Sequence, residues 1–291
     1  MLENRRKHTL FLAVFLLLIA DFFLFYSDWQ DSHRGFTFAM LNVGQGDALF
    51  IESPTGSKLL VDGGPKKKIL GELPLVMSPF DRNLDAILIT NPDQDHIAGF
   101  LDVLSNYKVG SLLEPGTLTD SKTYSSLKDE ITNKNIPDIL LRKGMKIDMG
   151  GGTFIDILFP DRDVSSWATN DGSTVARLSY GKTSVMLTGD ASIKTEKIIL
   201  AENNGNNLRS SILKVGHHGS RSSSSPLFVR AVSPSLALIS DGKDNKYGHP
   251  HKEVLDLLRS SGADILRTDL SGTIILKCAR IGSCEINKLK N

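Results

Sequence analysis

The chain has 291 residues, 34 Lys+Arg against 33 Asp+Glu, and a formal charge of +1. At 40% apolar and 23% charged it has a globular composition, which excludes wholesale disorder. Near-neutrality excludes a generally basic nucleic-acid coat, and two cysteines exclude a disulfide-rich scaffold or a four-thiolate zinc site.

In chain order, Arg5-Arg6-Lys7-His8 precedes an apolar run from Leu10 to Tyr26 that only Asp21 interrupts. A basic flank before an apolar run is the pattern of a signal peptide or membrane anchor. The run is at the lower limit for a spanning helix, which needs about 17–25 residues. No small-x-small cleavage pattern is clear near residues 20–30, so an uncleaved anchor over 1–29 is expected. The basic flank should stay cytoplasmic, which makes 30–291 one extracytoplasmic domain. A buried core helix is the alternative, disfavoured because the segment has no polar face.

Strand patterns follow at 36–42, 48–53, 58–61 and 84–90, then helical patterns at 97–106 and 121–134. Strands recur at 153–159, 174–180 and 183–188, and from 191 helix and strand alternate to the strand at 273–278. The pattern predicts an α/β layered fold with two sheets. Cys278 and Cys284 fall on a predicted hairpin. They can pair, which suits an oxidising compartment, or stand as two separate strand residues. Charge is split along the chain: 36–205 carries 17 basic and 22 acidic residues, and 206–291 carries 13 and 7.

Four polar clusters lie at predicted strand ends, where α/β sheets place their sites. Asn91-Pro92-Asp93-Gln94-Asp95-His96 offers two carboxylates and an imidazole that can converge on a metal ion, or cap a helix. Leu104 stands where an EF-hand needs its bidentate Glu, so that motif is excluded. Gly189-Asp190, Lys214-Val215-Gly216-His217-His218-Gly219-Ser220 and Tyr247-Gly248-His249-Pro250-His251 are the other three. Five of the seven histidines lie in these clusters. Gly181-Lys182-Thr183 is not a phosphate loop, because Ala176 replaces its first glycine.

With Asn42–Ala48 and Val61-Asp62-Gly63-Gly64, these segments resemble the metallo-β-lactamase superfamily in type and order, over about residues 36–278. Within it the chain is similar to the hydrolase-like domain of ComEC-type competence proteins. The resemblance implies a four-layer αββα sandwich with a metal site at the sheet edges, here preceded by one transmembrane helix. It implies two divalent ions, Zn or Mn. Their ligands are expected among Asn91, Asp93, Asp95, His96, Asp190, His217 and His249, with Asp190 bridging and His217 and His249 as alternatives for a later ligand. Asp95, His218, Ser220, Lys214 and Tyr247 are the expected catalytic or donor groups, supported by Asp62, Asn170 and His251.

Relatives commonly carry histidine where this chain has Asn91, a poor ligand beside imidazole. That departure favours a hard ion such as Mn²⁺, or a degenerate copy. The expected function is a membrane-anchored, extracytoplasmic hydrolase acting on DNA or another phosphodiester, linked to DNA uptake through a separate channel protein. The alternatives are a non-catalytic DNA- or channel-binding module of the same fold, and hydrolysis of a small ester or lactam.

Overall fold

A computed structural model of the chain describes residues 8, 11–19, 21–22, 35–78, 80–203, 208–279 and 284–289. Strands β1 (Phe36–Met40), β2 (Leu49–Glu52), β3 (Lys58–Val61), β4 (Asn83–Leu84), β5 (Ala86–Leu88), β6 (Lys108–Val109), β7 (Leu112–Glu114) and β8 (Asp138–Leu140) come first. They are followed by β9 (Lys146–Gly150), β10 (Thr153–Phe159), β11 (Val175–Tyr180), β12 (Thr183–Leu187), β13 (Ile212–Lys214), β14 (Leu236–Ile239), β15 (Asp264–Arg267), β16 (Thr273–Cys278) and β17 (Cys284–Leu289). The longer helices are α1 (Gln94–Asn106), α2 (Lys122–Asn133), α3 (Ile193–Asn203), α4 (Pro226–Val232) and α5 (Lys252–Ser260).

Alternation in the strands builds the layers. In β1, Phe36, Phe38 and Met40 point into the space between two sheets, and Ala39 points to the outer face. In β12, Val185 and Leu187 point inward and Met186 outward. One sheet has eight strands in the order β17-β16-β1-β2-β3-β5-β7-β8, and the other has seven in the order β15-β14-β13-β12-β11-β10-β9. Their facing sides share one apolar core. Helices α1 and α2 cover the outside of the first sheet through Ile97, Phe100, Val103 and Leu127. Helices α3, α4 and α5 cover the second through Ile199, Phe228 and Leu258. The result is the four-layer αββα sandwich.

The site follows from the parallel halves of these sheets. Strands β3, β5, β7 and β8 run parallel in the first sheet, and β12, β13, β14 and β15 in the second. Asp62, Asn91–His96, Asp190, His217–His218 and Ser240 directly follow β3, β5, β12, β13 and β14, so they gather at one edge of the sandwich.

Three details differ from the sequence reading. The expected strand 84–90 is split into β4 and β5, and β4 pairs with β6 rather than with the main sheet. Strands β7, β8 and β9 were unmarked in the sequence; β7 (LLE) and β8 (DIL) are three residues without alternation, whereas β9 does alternate from Lys146 to Met149. Helix α1 begins inside the acidic cluster, at Gln94; Asp93 is its N-cap, but its side chain makes no capping bond. The Cys278–Cys284 pair, left open by the sequence, is a disulfide across β16 and β17.

Of the expected anchor, residues 11–19 and 21–22 are helical with exposed side chains, and the rest of 1–34 except His8 lies outside the described residues. Among the described residues no helix is long and apolar enough to cross a membrane.

Candidate metal centre

Asp62 is the foundation of the centre. Its backbone has φ 57°, a left-handed conformation costing about 1–3 kcal/mol in a non-glycine residue. Its carboxylate accepts from the Thr90 amide at 2.8 Å and the Thr90 hydroxyl at 2.5 Å, and meets His96 Nδ1 at 2.9 Å. His96 is fully buried, and its free Nε2 lies 3.2 Å from Asp190 Oδ2. Burial opposes charging of this imidazole, but the carboxylates of Asp190 and Asp62 overcome it and hold His96 well above the usual histidine range. Burial likewise opposes ionisation of Asp190, yet His96, His218 and Lys214 hold its carboxyl well below the usual range.

His217 and His218 sit on a turn, Gly216–Gly219, with φ of 48° and 54°. Two consecutive non-glycine residues in the left-handed region are strained, and such strain concentrates at functional sites. The turn aims both rings at Asp190: His217 Nε2 lies 3.7 Å and His218 Nε2 3.8 Å from its Oδ2. Each ring is held from behind at Nδ1, by the Ser222 hydroxyl at 2.9 Å for His217 and the Ser240 carbonyl at 3.0 Å for His218. Nδ1–H donating to that carbonyl leaves His218 Nε2 with a free lone pair, which lies 3.3 Å from Asp95 Oδ2. Burial lowers the His217 pKa; at His218 burial is outweighed by Asp190 and Asp47, which raise it.

Two three-residue groups bring ligand atoms within 4.8 Å of one another: Asp95, His96 and His218, and Asp47, His96 and Asp190. His96 Nε2, His218 Nε2, Asp190 Oδ1 and Asp47 Oδ1 are buried without a hydrogen-bond partner, while Asp47 Oδ2 is ion-paired with Lys214. Buried polar atoms without partners are costly, and imidazole nitrogens facing carboxylates are a ligand set for a divalent cation. The residues therefore fit a metal ion.

The structure places the other expected residues around this centre. Asn91 is fully buried; its Oδ1 accepts the Asp93 amide at 2.8 Å and its amide donates to Asn170 Oδ1 at 2.6 Å. Asp93 is partly buried, which raises its pKa, and accepts from Thr169 at 3.0 Å. Between the alternatives His217 and His249, His217 approaches Asp190. His249 instead packs beside His217, with ring centroids 5.6 Å apart, and burial with His217 and His218 nearby pushes its pKa down to about 4. His251 Nδ1 accepts the Arg221 amide.

Ser220 is engaged by Ser222, its Oγ accepting from the amide at 3.3 Å and lying 3.0 Å from the hydroxyl. Lys214 does not face the opening as a donor to substrate. It is fully buried, ion-paired with Asp47, and donates to the Gly189 carbonyl at 2.8 Å.

Asp47 is the residue the sequence reading missed. It lay inside the glycine turn Gly44-Gln45-Gly46-Asp47 and received no role. The signal was the turn itself. A Cβ on Gly46 would lie 2.2 Å from the Asp95 carbonyl oxygen, and that close approach brings Asp47 under the site.

A family model described as the metallo-beta-lactamase superfamily matches residues 41–240. The chain belongs to this superfamily. Within it, it is 32% identical over 259 residues to ComE operon protein 3 of Bacillus subtilis strain 168, covering 81% of this chain and 32% of that one. It is 28% identical to competence protein ComA of Neisseria gonorrhoeae over 241 residues, 83% of this chain and 32% of that one. Recombination protein 2 of Haemophilus influenzae is 28% identical over 278 residues, 94% of this chain and again 32% of the relative. The chain is thus similar to competence proteins of the ComEC type and spans about a third of their length.

Among solved structures, CmlA, a diiron β-hydroxylase from Streptomyces venezuelae, superposes with a TM-score of 0.54 at 14% identity, covering 84% of this chain and 54% of that one. YhfI, a metallo-β-lactamase fold protein from Bacillus subtilis, gives 0.53 at 14% identity, covering 79% and 95%. These likenesses speak for the fold alone. Superfamily members of this fold bind divalent metals, and the grouped residues above are where this chain offers ligands.

Proposed function

We propose that the centre binds two divalent metal ions, Mn²⁺ or Zn²⁺, and hydrolyses phosphodiester bonds, with DNA as substrate. The observation that carries this is the meeting of His96, His218, Asp190, Asp95 and Asp47, with His96 Nε2, His218 Nε2, Asp190 Oδ1 and Asp47 Oδ1 buried and without a hydrogen-bond partner. Divalent ions there supply Lewis acidity, which lowers the pKa of water and polarises a phosphoryl oxygen.

The chain's own residues prepare the ground. Asp62 and the Ser240 carbonyl fix the His96 and His218 rings with Nε2 aimed at Asp190 and Asp95. Lys214 offsets the buried charge of Asp47, and Asp190 draws three imidazoles within 3.8 Å. Asp93 at the partly exposed rim is placed to contribute a further oxygen.

Similarity to competence proteins supports a role in DNA uptake beside a separate channel protein. The basic flank and apolar run support an anchor over 1–29, a hydrolase domain over 30–291, and an extracytoplasmic location. The disulfide suits that oxidising side.

The test is the full-length protein in detergent, with Mn²⁺ or Zn²⁺, on single- and double-stranded DNA. Cleavage should appear with metal and fall at least a hundredfold in Asp190→Ala; undiminished cleavage in that variant would overturn the assignment. The engagement of Asn91 by Asn170 and Asp93 favours a second reading, a non-catalytic DNA-binding module. It predicts salt-sensitive DNA binding with no bound metal after Mn²⁺ addition, measured by elemental analysis.

A further inference from the structure

Beside the metal centre a cavity of about 340 Å³ opens to solvent, and its lining includes Asp95, Lys66, Lys246 and Tyr247. Tyr247 is 54% exposed at this mouth. A single exposed aromatic ring is ordinary, so its support decides the matter.

Asn245 holds the loop that carries it. The Asn245 amide donates to Asp241 Oδ1 at 3.0 Å, to the Gly242 carbonyl at 3.1 Å and to the His249 carbonyl at 2.7 Å. Its oxygen accepts the Tyr247 amide at 3.1 Å and the His249 amide at 3.0 Å. The Tyr247 ring lies within 23° of parallel to the His249 ring, 5.7 Å between centroids. The ring is thus exposed and already ordered, which removes much of the entropy cost of using it.

Cations stand around it. Lys66 and Lys246, which line the same cavity, are exposed and form no ion pair among the described residues. Lys246 Nζ lies 5.1 Å from the Tyr247 centroid. A flat π-face with free ammonium groups on two loops matches a chain that alternates phosphates with unstacked bases. A double helix offers the phosphates but keeps its bases stacked on each other.

We propose that Tyr247 is a base-stacking platform, with Lys66 and Lys246 as its phosphate contacts, and that the site takes single-stranded nucleic acid. The proposal rests on the phosphodiesterase reading above. Magnitudes favour exchange of Lys246 for a base over the ring. An exposed cation–π contact is worth about two- to fivefold in affinity, whereas base stacking on an aromatic side chain is worth about five- to 150-fold. The displaced ammonium is then free for phosphate.

The test is fluorescence anisotropy with the full-length protein in detergent and EDTA, so that nothing is hydrolysed. The probes are a labelled oligothymidylate and an abasic oligomer of equal length and charge. The parent should prefer the oligothymidylate about tenfold, the equivalent of one stacked base. In Tyr247→Ala that ratio should fall to about one, and Tyr247→Phe should retain it. Lys66→Gln and Lys246→Gln should weaken both probes alike. A parental ratio near one, no binding of either probe, tighter binding of a duplex, or a ratio unmoved by Tyr247→Ala each overturns the platform. Metal-dependent DNA cleavage with a ratio near one overturns the platform and keeps the hydrolase. A tenfold, Tyr247-dependent ratio without cleavage of any phosphodiester supports the platform and removes the hydrolase.

Discussion

The His96 and His218 rings are fixed at Nδ1, one by Asp62 and the other by the Ser240 carbonyl, which leaves each Nε2 aimed at a carboxylate of the candidate metal centre. Orienting partners of this kind typically carry 10–100-fold in metal affinity. Asp62→Ala should therefore weaken Mn²⁺ or Zn²⁺ binding about 10–100-fold by isothermal titration calorimetry. An unchanged affinity would mean that Asp62 only ties the Thr90 turn. A second residue-scale effect lies at Asp241. Burial and the nearby Asp269 push its carboxyl up to about 7, and its Oδ2 is buried without a hydrogen bond, with Arg267 3.8 Å away. The folded state then holds a proton that the unfolded state releases near pH 4, so this residue makes stability fall from about pH 4 to 7 and level off above. Asp241→Asn removes that decline and offers an N–H where Oδ2 stood. Its melting temperature should match the parent near pH 4 and exceed it by a few degrees at pH 8.

At the scale of elements, the loops after the parallel strands carry the chemistry, and the close packing of loop on loop sets its geometry. Gly46 passes under the first turn of α1, where a Cβ would meet the Asp95 carbonyl oxygen at 2.2 Å. Its φ of 135° is also a glycine conformation. Gly46→Ala should displace Asp47 and Asp95 together, lowering metal affinity more than it lowers helix content in circular dichroism. At the other end of the chain, β17 is an edge strand that among the described residues pairs with β16 alone, and the disulfide ties the two across a sequence separation of 6. Closing so short a loop removes about 2 kcal/mol of unfolded-state entropy. Reduction, or Cys278→Ser with Cys284→Ser, should lower the melting temperature by roughly 4–8 °C, read by calorimetry with and without reductant.

For the whole molecule, the two sheets meet through one apolar core, while the metal centre sits at their shared edge. A metal ion bound there would join residues from both halves, Asp95 and His96 from the first and Asp190 and His218 from the second. Binding to the folded state alone should stabilise the entire domain, by about 2.7 kcal/mol at a free metal concentration of 100 Kd. The melting temperature should rise on Mn²⁺ or Zn²⁺ addition and return with EDTA. A metal that binds without shifting it is not held across the sandwich.

The α/β class, the order of most strands and helices, and the four clusters were legible in the sequence, because alternation, helical spacing and polar residues after apolar runs are local signals. His96, Asp190 and the His217–His218 pair stood out for that reason. Tertiary structure alone decided the rest. Strands β7 and β8 were silent because three residues without alternation carry no period, while the alternation of β9 was there to be read. The fates of Asn91 and Lys214, one engaged by Asn170 and the other buried on Asp47, depend on partners 79 and 167 positions away in the chain. Asp47 joined the centre only because Gly46 lets a distant loop approach Asp95. His217 rather than His249 faces Asp190 because a strained turn points it there. Local chemistry names the groups able to bind and react; their pairing is set by packing between loops that the sequence holds far apart.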